Sequence, residues 1–406
     1  CECLVVLAQA RREAGESIAT DSVHAPRPGD DGRARSARRE RSPAPPRGRR
    51  VTLIREPGPR RGRGATFNPD GRFATRSTQA VDDGWSELTA EPRQLPTIVV
   101  EQAARSIIAR NDSPDVPFEQ SVNPYQGCEH GCVYCYARPS HAYLNLSPGL
   151  DFETRIFAKT NAAELLREEL AARGYRCSPI ALGANTDPYQ PAERQQRITR
   201  SVLEVLTDCR HPFTITTKGA LVERDLDLIA PAAAQGLARV FISVPQLDHE
   251  LARRLEPRAS APARRIETIR RLAAAGIPTG VLVAPLIPFL NDRELEAVLA
   301  AARHAGATTA AFIVLRLPHE VRALFAAWLG EHHPLRRERV LNAIREMRGG
   351  RDNDPRFVSR MTGSGPLAEL LARRFALACR KLGFDEAKTE LRSDLFRPPH
   401  RQMELF

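Results

Sequence analysis

From residue 96 to about 330 the chain alternates short β-rich runs with amphipathic helical runs, and this alternation restricts the fold more than any other feature. Six runs read as strands: SVNPYQG (121–127), SPIALGA (178–184), FTITT (213–217), ARVFISV (238–244), TGVLVAP (279–285) and TTAAFIVL (308–315). Helical periodicity fills the intervals at 161–174, 194–209, 224–236, 261–276 and 292–306. Several of these runs stop at a glycine just before the next strand, which is helix-to-strand loop chemistry. Strands joined by helical crossovers pair in parallel, and the crossovers are right-handed. No G-x-G-x-x-G follows a strand, so a nucleotide-binding doubly wound sheet is not indicated. The expected fold is α/β, a partial (β/α)6 TIM-type barrel. Its functional groups belong at the C-terminal strand ends, in the loops beginning GCEHGC, NTDPYQ, TK, PQ, APLIP and RLP. Beyond 330 the pattern is helical, near 334–348 and 366–382, and predicts a helical C-terminal extension over 331–406.

Composition limits the rest of the chain. At 42% hydrophobic and 27% charged residues the chain is neither membrane-embedded nor wholly disordered. It holds no apolar run of about 18 residues, so no membrane-crossing helix is expected. Of 60 basic residues, 56 are Arg, and the surplus is local. Residues 27–63 hold 13 Arg and 4 acids, whereas 96–406 carries a net charge of only +6. The basic block is rich in Pro and Gly, cannot bury enough apolar area to offset its ordering entropy, and makes residues 1–95 an expected disordered extension. Such an Arg-rich tail can bind nucleic acid through phosphates, or simply be a solvated charge run in an Arg-heavy composition. Residue 1 is Cys1 and not Met, so the expected reading is a fragment or a start placed too far upstream. The opening CECLVVLAQA has no basic segment before its apolar run and makes a poor signal peptide. A cytoplasmic location is expected.

Cys128, Cys132 and Cys135 form C-x3-C-x2-C directly after the first of the six strands. Three thiolates so close in sequence can converge on one metal or cluster. A disulfide would leave one thiol over and needs an oxidising compartment. Zinc wants four ligands, and His130 within the loop would complete a Cys3His set. An iron–sulfur cluster held by only three cysteines keeps one iron open for a substrate or cofactor. Tyr134, just before the third cysteine, offers an aromatic face for a bound purine.

In this context the string NPYQGCEHGCVYCYAR (123–138) resembles the radical S-adenosylmethionine (SAM) superfamily, and in particular its spore photoproduct lyase-like branch of "DNA repair photolyase" type. TDPYQPAE (186–193), EPRAS (256–260), APLIPFLND (284–292) and LRSDLFRPP (391–399) are similar to the same branch. The resemblance implies that Cys128, Cys132 and Cys135 ligate three irons of a [4Fe–4S] cluster. The fourth iron would chelate SAM, whose reductive cleavage yields a 5′-deoxyadenosyl radical for hydrogen abstraction from an unidentified substrate, either nucleic-acid-related, as the branch and the basic charge favour, or a peptide, tRNA or small metabolite. A flavodoxin- or ferredoxin-type electron donor is the partner this chemistry implies. By position, Asn185, Thr186, Asp187 and Glu193 would serve the SAM amino group. Lys218 would meet its carboxylate or an anionic substrate, Ser243 the ribose, and Arg258 a carboxylate. APLIP would line an adenine pocket, while Asn291 and Asp292 read as a helix cap. One departure stands out. Spore photoproduct lyase uses a hydrogen-donor Cys after its second strand, and the matching place here is Ala184-Asn185, so the lyase reaction itself is not expected. The terminal Gln402, Leu405 and Phe406 resemble the bacterial sliding-clamp-binding peptide; the alternative is a tail packed on its own barrel. The rival reading of the whole chain is a zinc-stabilised, Cys3His nucleic-acid-binding module without turnover.

Overall fold

A computed structural model describes residues 62–74, 95–384 and 390–399. Most of the Arg-rich block and the clamp-like terminus lie outside these residues. The main sheet has seven strands: β2 (Ile108–Arg110), β3 (Gln120–Val122), β6 (Ile180–Leu182), β7 (Phe213–Thr217), β8 (Ala238–Ser243), β9 (Thr279–Leu286) and β10 (Thr309–Val314). Their order is β10-β9-β8-β7-β6-β3-β2. The six strands from β3 to β10 pair in parallel, and β2 is an antiparallel edge on β3. The sheet does not close, because β10 and β3 lie at opposite ends of the parallel run. The expected partial barrel is therefore present.

Alternation along the strands divides the core. Val240 and Ile242 of β8, Val281 and Val283 of β9, and Phe312 and Val314 of β10 turn outward into the main apolar cluster. Phe241, Leu282, Ala284, Ala311 and Ile313 turn inward and pack with each other. This is the period of two that a pleated strand imposes, and each fully buried aliphatic contributes about 1.5–3 kcal/mol relative to exposure. The crossover helices are α1 (Ala162–Leu170), α2 (Ile198–Asp208), α3 (Leu226–Ala234), α4 (Pro262–Ala274) and α5 (Leu295–His304). After β10 come α6 (Val321–His332), α7 (Arg337–Glu346) and α8 (Pro366–Leu382). The helix expected over 194–209 is two pieces, because Arg197 takes a left-handed φ of 53° between Glu193–Gln196 and α2.

A second, three-stranded sheet has the order β1-β5-β4, with β1 at Ile98–Gln102, β4 at Tyr125–Gln126 and β5 at Arg155–Lys159. It divides the single strand expected over 121–127. Ser121 and Val122 belong to the barrel as part of β3, while Tyr125 pairs across to Ala158 of β5. The switch aims the chain at Cys128.

Residues 390–399 close one side of the barrel. Arg397 N donates to Cys209 O at 2.8 Å, and the Phe396 ring meets His211 with centroids 5.1 Å apart. His211 is fully buried, with Nε2 2.6 Å from Tyr175 Oη. Burial pushes its imidazole down to about 4. The unfolded chain therefore binds the extra proton between about pH 6.5 and 4, and the folded chain does not. Stability is full above that window and falls through it, by about 3 kcal/mol at 1.36 kcal/mol per unit. Urea midpoints at pH 7 and 4.5 should differ less for His211→Gln than for the parent; an unchanged difference would remove His211 as the cause.

Candidate cluster and cofactor site

The C-x3-C-x2-C loop is a chain of tight turns. Gly131 N donates to Cys128 O at 3.3 Å, Cys135 N to Cys132 O at 3.2 Å, and Arg138 N to Cys135 O at 3.2 Å. Gly131 sits at φ 67°, and a Cβ there would lie 2.8 Å from Glu153 Oε2, so both backbone and space require glycine. Neighbouring segments hold the loop from outside. Cys128 N donates to Phe152 O at 2.9 Å, Val133 N to Leu255 O at 3.1 Å, and Glu129 N to the buried Gln190 Oε1 at 2.9 Å.

Beneath the loop lies a buried ion pair between Arg138 and Glu153, both fully shielded from solvent. Arg138 spends its other donors on carbonyls, among them Cys132 O at 2.9 Å and Gly131 O at 3.2 Å. Glu153 also accepts Gly64 N at 2.9 Å and Ala65 N at 2.8 Å. Arg63 reaches Glu153 O at 2.8 Å, Leu95 O at 2.6 Å and Thr97 Oγ1 at 3.0 Å. The expectation of disorder over 1–95 thus fails for 62–74, which runs as a strap across the cysteine loop. A Cβ on Gly64 would lie 1.9 Å from Gly131 O. An R-G-R-G-A string has no apolar period and signals nothing by itself; the partner that orders it, Glu153, is some 90 residues away.

The three cysteines line a cavity at the C-terminal mouth of the barrel. Tyr134, Asn185, Asp187, Lys218 and Ser243 line it too, joined by His130, Tyr136, Thr216, Leu282, Ala284 and Pro285. Burial pushes the Cys128 thiol well above its ordinary value, reinforced by Asp187 and the other two sulfurs. Burial likewise pushes Cys132 up to about 12, with Glu256 adding to it and Lys218 opposing. Thiolates here need a cation to compensate them, which a metal cluster supplies. Among the described residues no three His, Cys, Asp or Glu side chains close on a single metal ion. His130 lies against Asp187, Nδ1 to Oδ2 3.2 Å, and does not complete a Cys3His set. Three soft sulfurs spread around a cavity suit a multi-iron cluster better than one zinc.

The other expected residues divide. Asp187 is buried and fully engaged: Oδ1 accepts Thr217 Oγ1 at 2.6 Å and Tyr189 N at 2.9 Å, and Oδ2 accepts Lys218 N at 2.8 Å. Burial alone would raise its carboxyl, but His130 and these donors hold it well below the usual range. Burial alone would lower the Lys218 ammonium; Cys132 and Glu256 beside it raise it instead, so it stays charged. Ser243 Oγ donates to Ala284 O at 3.0 Å.

Three expected residues do not line the cavity. Thr186 turns its hydroxyl to Tyr125 O at 2.8 Å. Glu193 is a buried hub that accepts Tyr125 Oη, Thr199 N at 3.0 Å and Arg224 Nη2 at 2.6 Å. Arg258 pairs with Glu129 at 2.9 Å and faces a second cleft, lined also by Tyr189, Arg194, Arg224 and Arg264. Asn291 does not cap a helix through its side chain; it is buried and braces the APLIP loop, accepting Ile287 N at 2.7 Å and donating to Pro285 O at 2.9 Å. Sequence reading passed over Glu256 as a single residue. It is buried, accepts Tyr134 Oη, and pairs with the buried Arg265. Arg265 and Lys218 keep its carboxyl below the ordinary value against the opposing effect of burial.

Residues 122–302 match the family model described as the radical SAM superfamily. Over this segment, somewhat under half of the chain, the sequence is similar to that superfamily. An uncharacterized protein of Mycobacterium tuberculosis is 42% identical over 221 residues, 54% of this chain and 65% of the relative. An uncharacterized protein of Methanocaldococcus jannaschii is 28% identical over 173 residues, 43% of this chain and 62% of that protein. The chain thus spans somewhat under two thirds of these relatives. Among solved structures, a spore photoproduct lyase variant aligns at 16% identity and a TM-score of 0.49, covering 70% of this chain and 79% of that one. Another variant, with bound AdoMet and dinucleoside spore photoproduct, aligns at 17% identity and a TM-score of 0.43, covering 58% and 67%. Among the described residues no helix is long and apolar enough to cross a membrane.

Proposed function

We propose that this chain is a radical SAM enzyme whose Cys128, Cys132 and Cys135 hold a [4Fe–4S] cluster and whose strand ends hold SAM. The carrying observation is that three cysteine thiols and polar groups from the ends of β6, β7 and β8 line one cavity. When bound, the cluster and SAM supply reductive cleavage of the sulfonium and a 5′-deoxyadenosyl radical for hydrogen abstraction. The chain's part is to bind, orient and shield. Three thiolates leave one iron of the cube without a protein ligand. The charged Lys218 suits the SAM carboxylate, Asn185 its amino group, and Ser243 the ribose. Tyr134, fixed by Glu256, presents a flat wall, and Ala284 and Pro285 present apolar contacts to an adenine. The division into an N-terminal extension, a barrel over 96–330 and a helical extension over 331–406 goes with this reading, as does an external one-electron donor. The departure at Ala184-Asn185 speaks for a substrate other than the spore photoproduct.

Anaerobic reconstitution with iron and sulfide tests it. The expected product is a brown protein absorbing broadly near 400 nm that converts SAM to 5′-deoxyadenosine with dithionite. A colourless protein that retains one zinc and leaves SAM intact would replace this reading with the zinc module.

A further inference from the structure

The inward faces of the two halves of the main sheet are filled differently. Across β8, β9 and β10 the side chains pack. The Phe241 ring takes the space that a Cβ on Gly280 would need, and Leu282, Ala284, Ala311 and Ile313 pack beside it. Across β6 and β7 the bulky residues turn outward instead. Ile180 and Leu182 of β6, and Phe213 and Ile215 of β7, belong to the main apolar cluster, so the pleat turns Ala181, Thr214 and Thr216 inward. A (β/α) barrel ordinarily fills its interior with bulky branched side chains. Small ones in these positions leave a chamber, lined by Ala181, Thr214, Thr216 and Phe241, with Pro117 and Phe118 at its N-terminal end. Thr216 also lines the cluster cavity, so the chamber lies directly beneath that cavity. Phe118 and Ala184 are shared with a further cavity, which Ser121 of β3 and Arg316 after β10 both line. That cavity occupies the gap the open sheet leaves between its first and last parallel strands, and it gives the chamber a route to the side.

We propose that this chamber binds an uncharged, mainly apolar group of the substrate, with the rest of that molecule leaving through the gap between β3 and β10. The word substrate rests on the radical SAM reading; the apolar site rests on the lining of the lumen alone. Among the described residues no charged side chain lines the chamber, and its polar side chains are those of Thr214 and Thr216. A charged group placed there would lose its hydration and meet no opposite charge. An apolar group would give the walls the dispersion contacts that an empty space withholds. Sites of this kind are mostly apolar, with a few polar groups that fix orientation. Position supplies the rest of the argument. The chamber adjoins the cavity of the three cysteines and Lys218 without being part of it, so its occupant and SAM are held side by side and do not compete.

The test is calorimetric titration of the anaerobically reconstituted protein with toluene and with benzoate, each in the absence and presence of saturating SAM. Toluene should bind at least about tenfold more tightly than benzoate, which has the same ring and one charge. Its Kd should not rise when SAM is present. Ala181→Leu and Thr214→Leu fill the chamber from β6 and from β7. Each should raise the Kd for toluene at least about tenfold, while the apo protein melts no lower than the parent because the added atoms enter empty space. Thr214→Leu carries the comparison if Ala181→Leu fails to fold; failure of both to fold would show a lumen already filled and would overturn the site. So would benzoate binding as tightly as toluene, toluene binding unaffected by either filling, competition between toluene and SAM, or no binding of toluene. SAM cleavage by the unaltered protein is measured alongside. Its absence with toluene bound as expected would refute the radical SAM reading and leave the apolar site standing, and its presence with failed titrations would refute only the apolar site.

Discussion

Alanine at Cys128, Cys132 or Cys135 should each abolish the near-400 nm absorbance and SAM cleavage together, while Cys209→Ala and Cys379→Ala should retain both. The contrast follows from position. The first three line one cavity and sit on a loop whose turns fix their spacing. Cys209 ends α2 within the main apolar cluster, where burial pushes its thiol up and keeps it unreactive. Cys379 lies on α8, packed against the same cluster. On the proposed reading each of the three thiolates would serve its own iron, so losing one would leave a second iron without a protein ligand instead of weakening the whole set by a fraction. Removing one small buried sulfur costs folding only about 1 kcal/mol. The Ala variants should therefore melt close to the parent when both are compared without cluster. Retained SAM cleavage in any of the three would refute the ligand assignment; a grossly lowered apo melting point would assign the loss to unfolding.

What could be read from the sequence was whatever is local. Strands β7 to β10 and their crossover helices declare themselves because one face of each is buried, leaving periods of 2 and 3.6 in the residues. The cysteine triad is legible for the same reason: its spacing fits within eight positions. The small sheet is not. β1 alternates only weakly, with Ile98 and Val100 exposed, and β4 is two residues long. Contacts across long stretches of chain are equally silent. Glu256 meets Tyr134 across 122 residues, and nothing near either residue announces the other. Glu193 shows the reverse error. Its place after a strand suggested a cofactor contact, yet its carboxylate turns inward to satisfy Tyr125, Thr199 and Arg224. Position in the sequence fixed which loop it occupies, but not which way the side chain faces.

Glu153→Ala should destabilise the apo protein by about 3–5 kcal/mol, because it leaves the buried guanidinium of Arg138 uncompensated. The same change strips acceptors from Gly64 N and Ala65 N, so the strap detaches with the ion pair. Arg138 would still hold Cys132 O and Gly131 O, but without a counter-charge in a dry site. The cysteine loop then loses its support from below and above at once, and cluster loading should fall along with stability. Gly64→Ala separates the two effects. It leaves the Arg138–Glu153 pair intact and forces only the strap away from Gly131 O. Its expected cost is about 1–3 kcal/mol, the usual penalty for overpacking. Because the two changes act through one network, their costs should not add: the double variant should lie closer to Glu153→Ala alone than to the sum. Urea unfolding of the apo proteins gives the energies, and iron content after reconstitution gives the loading. Full additivity, or a Glu153→Ala protein as stable as the parent, would show that the strap and the ion pair do not support the cysteine loop as one unit.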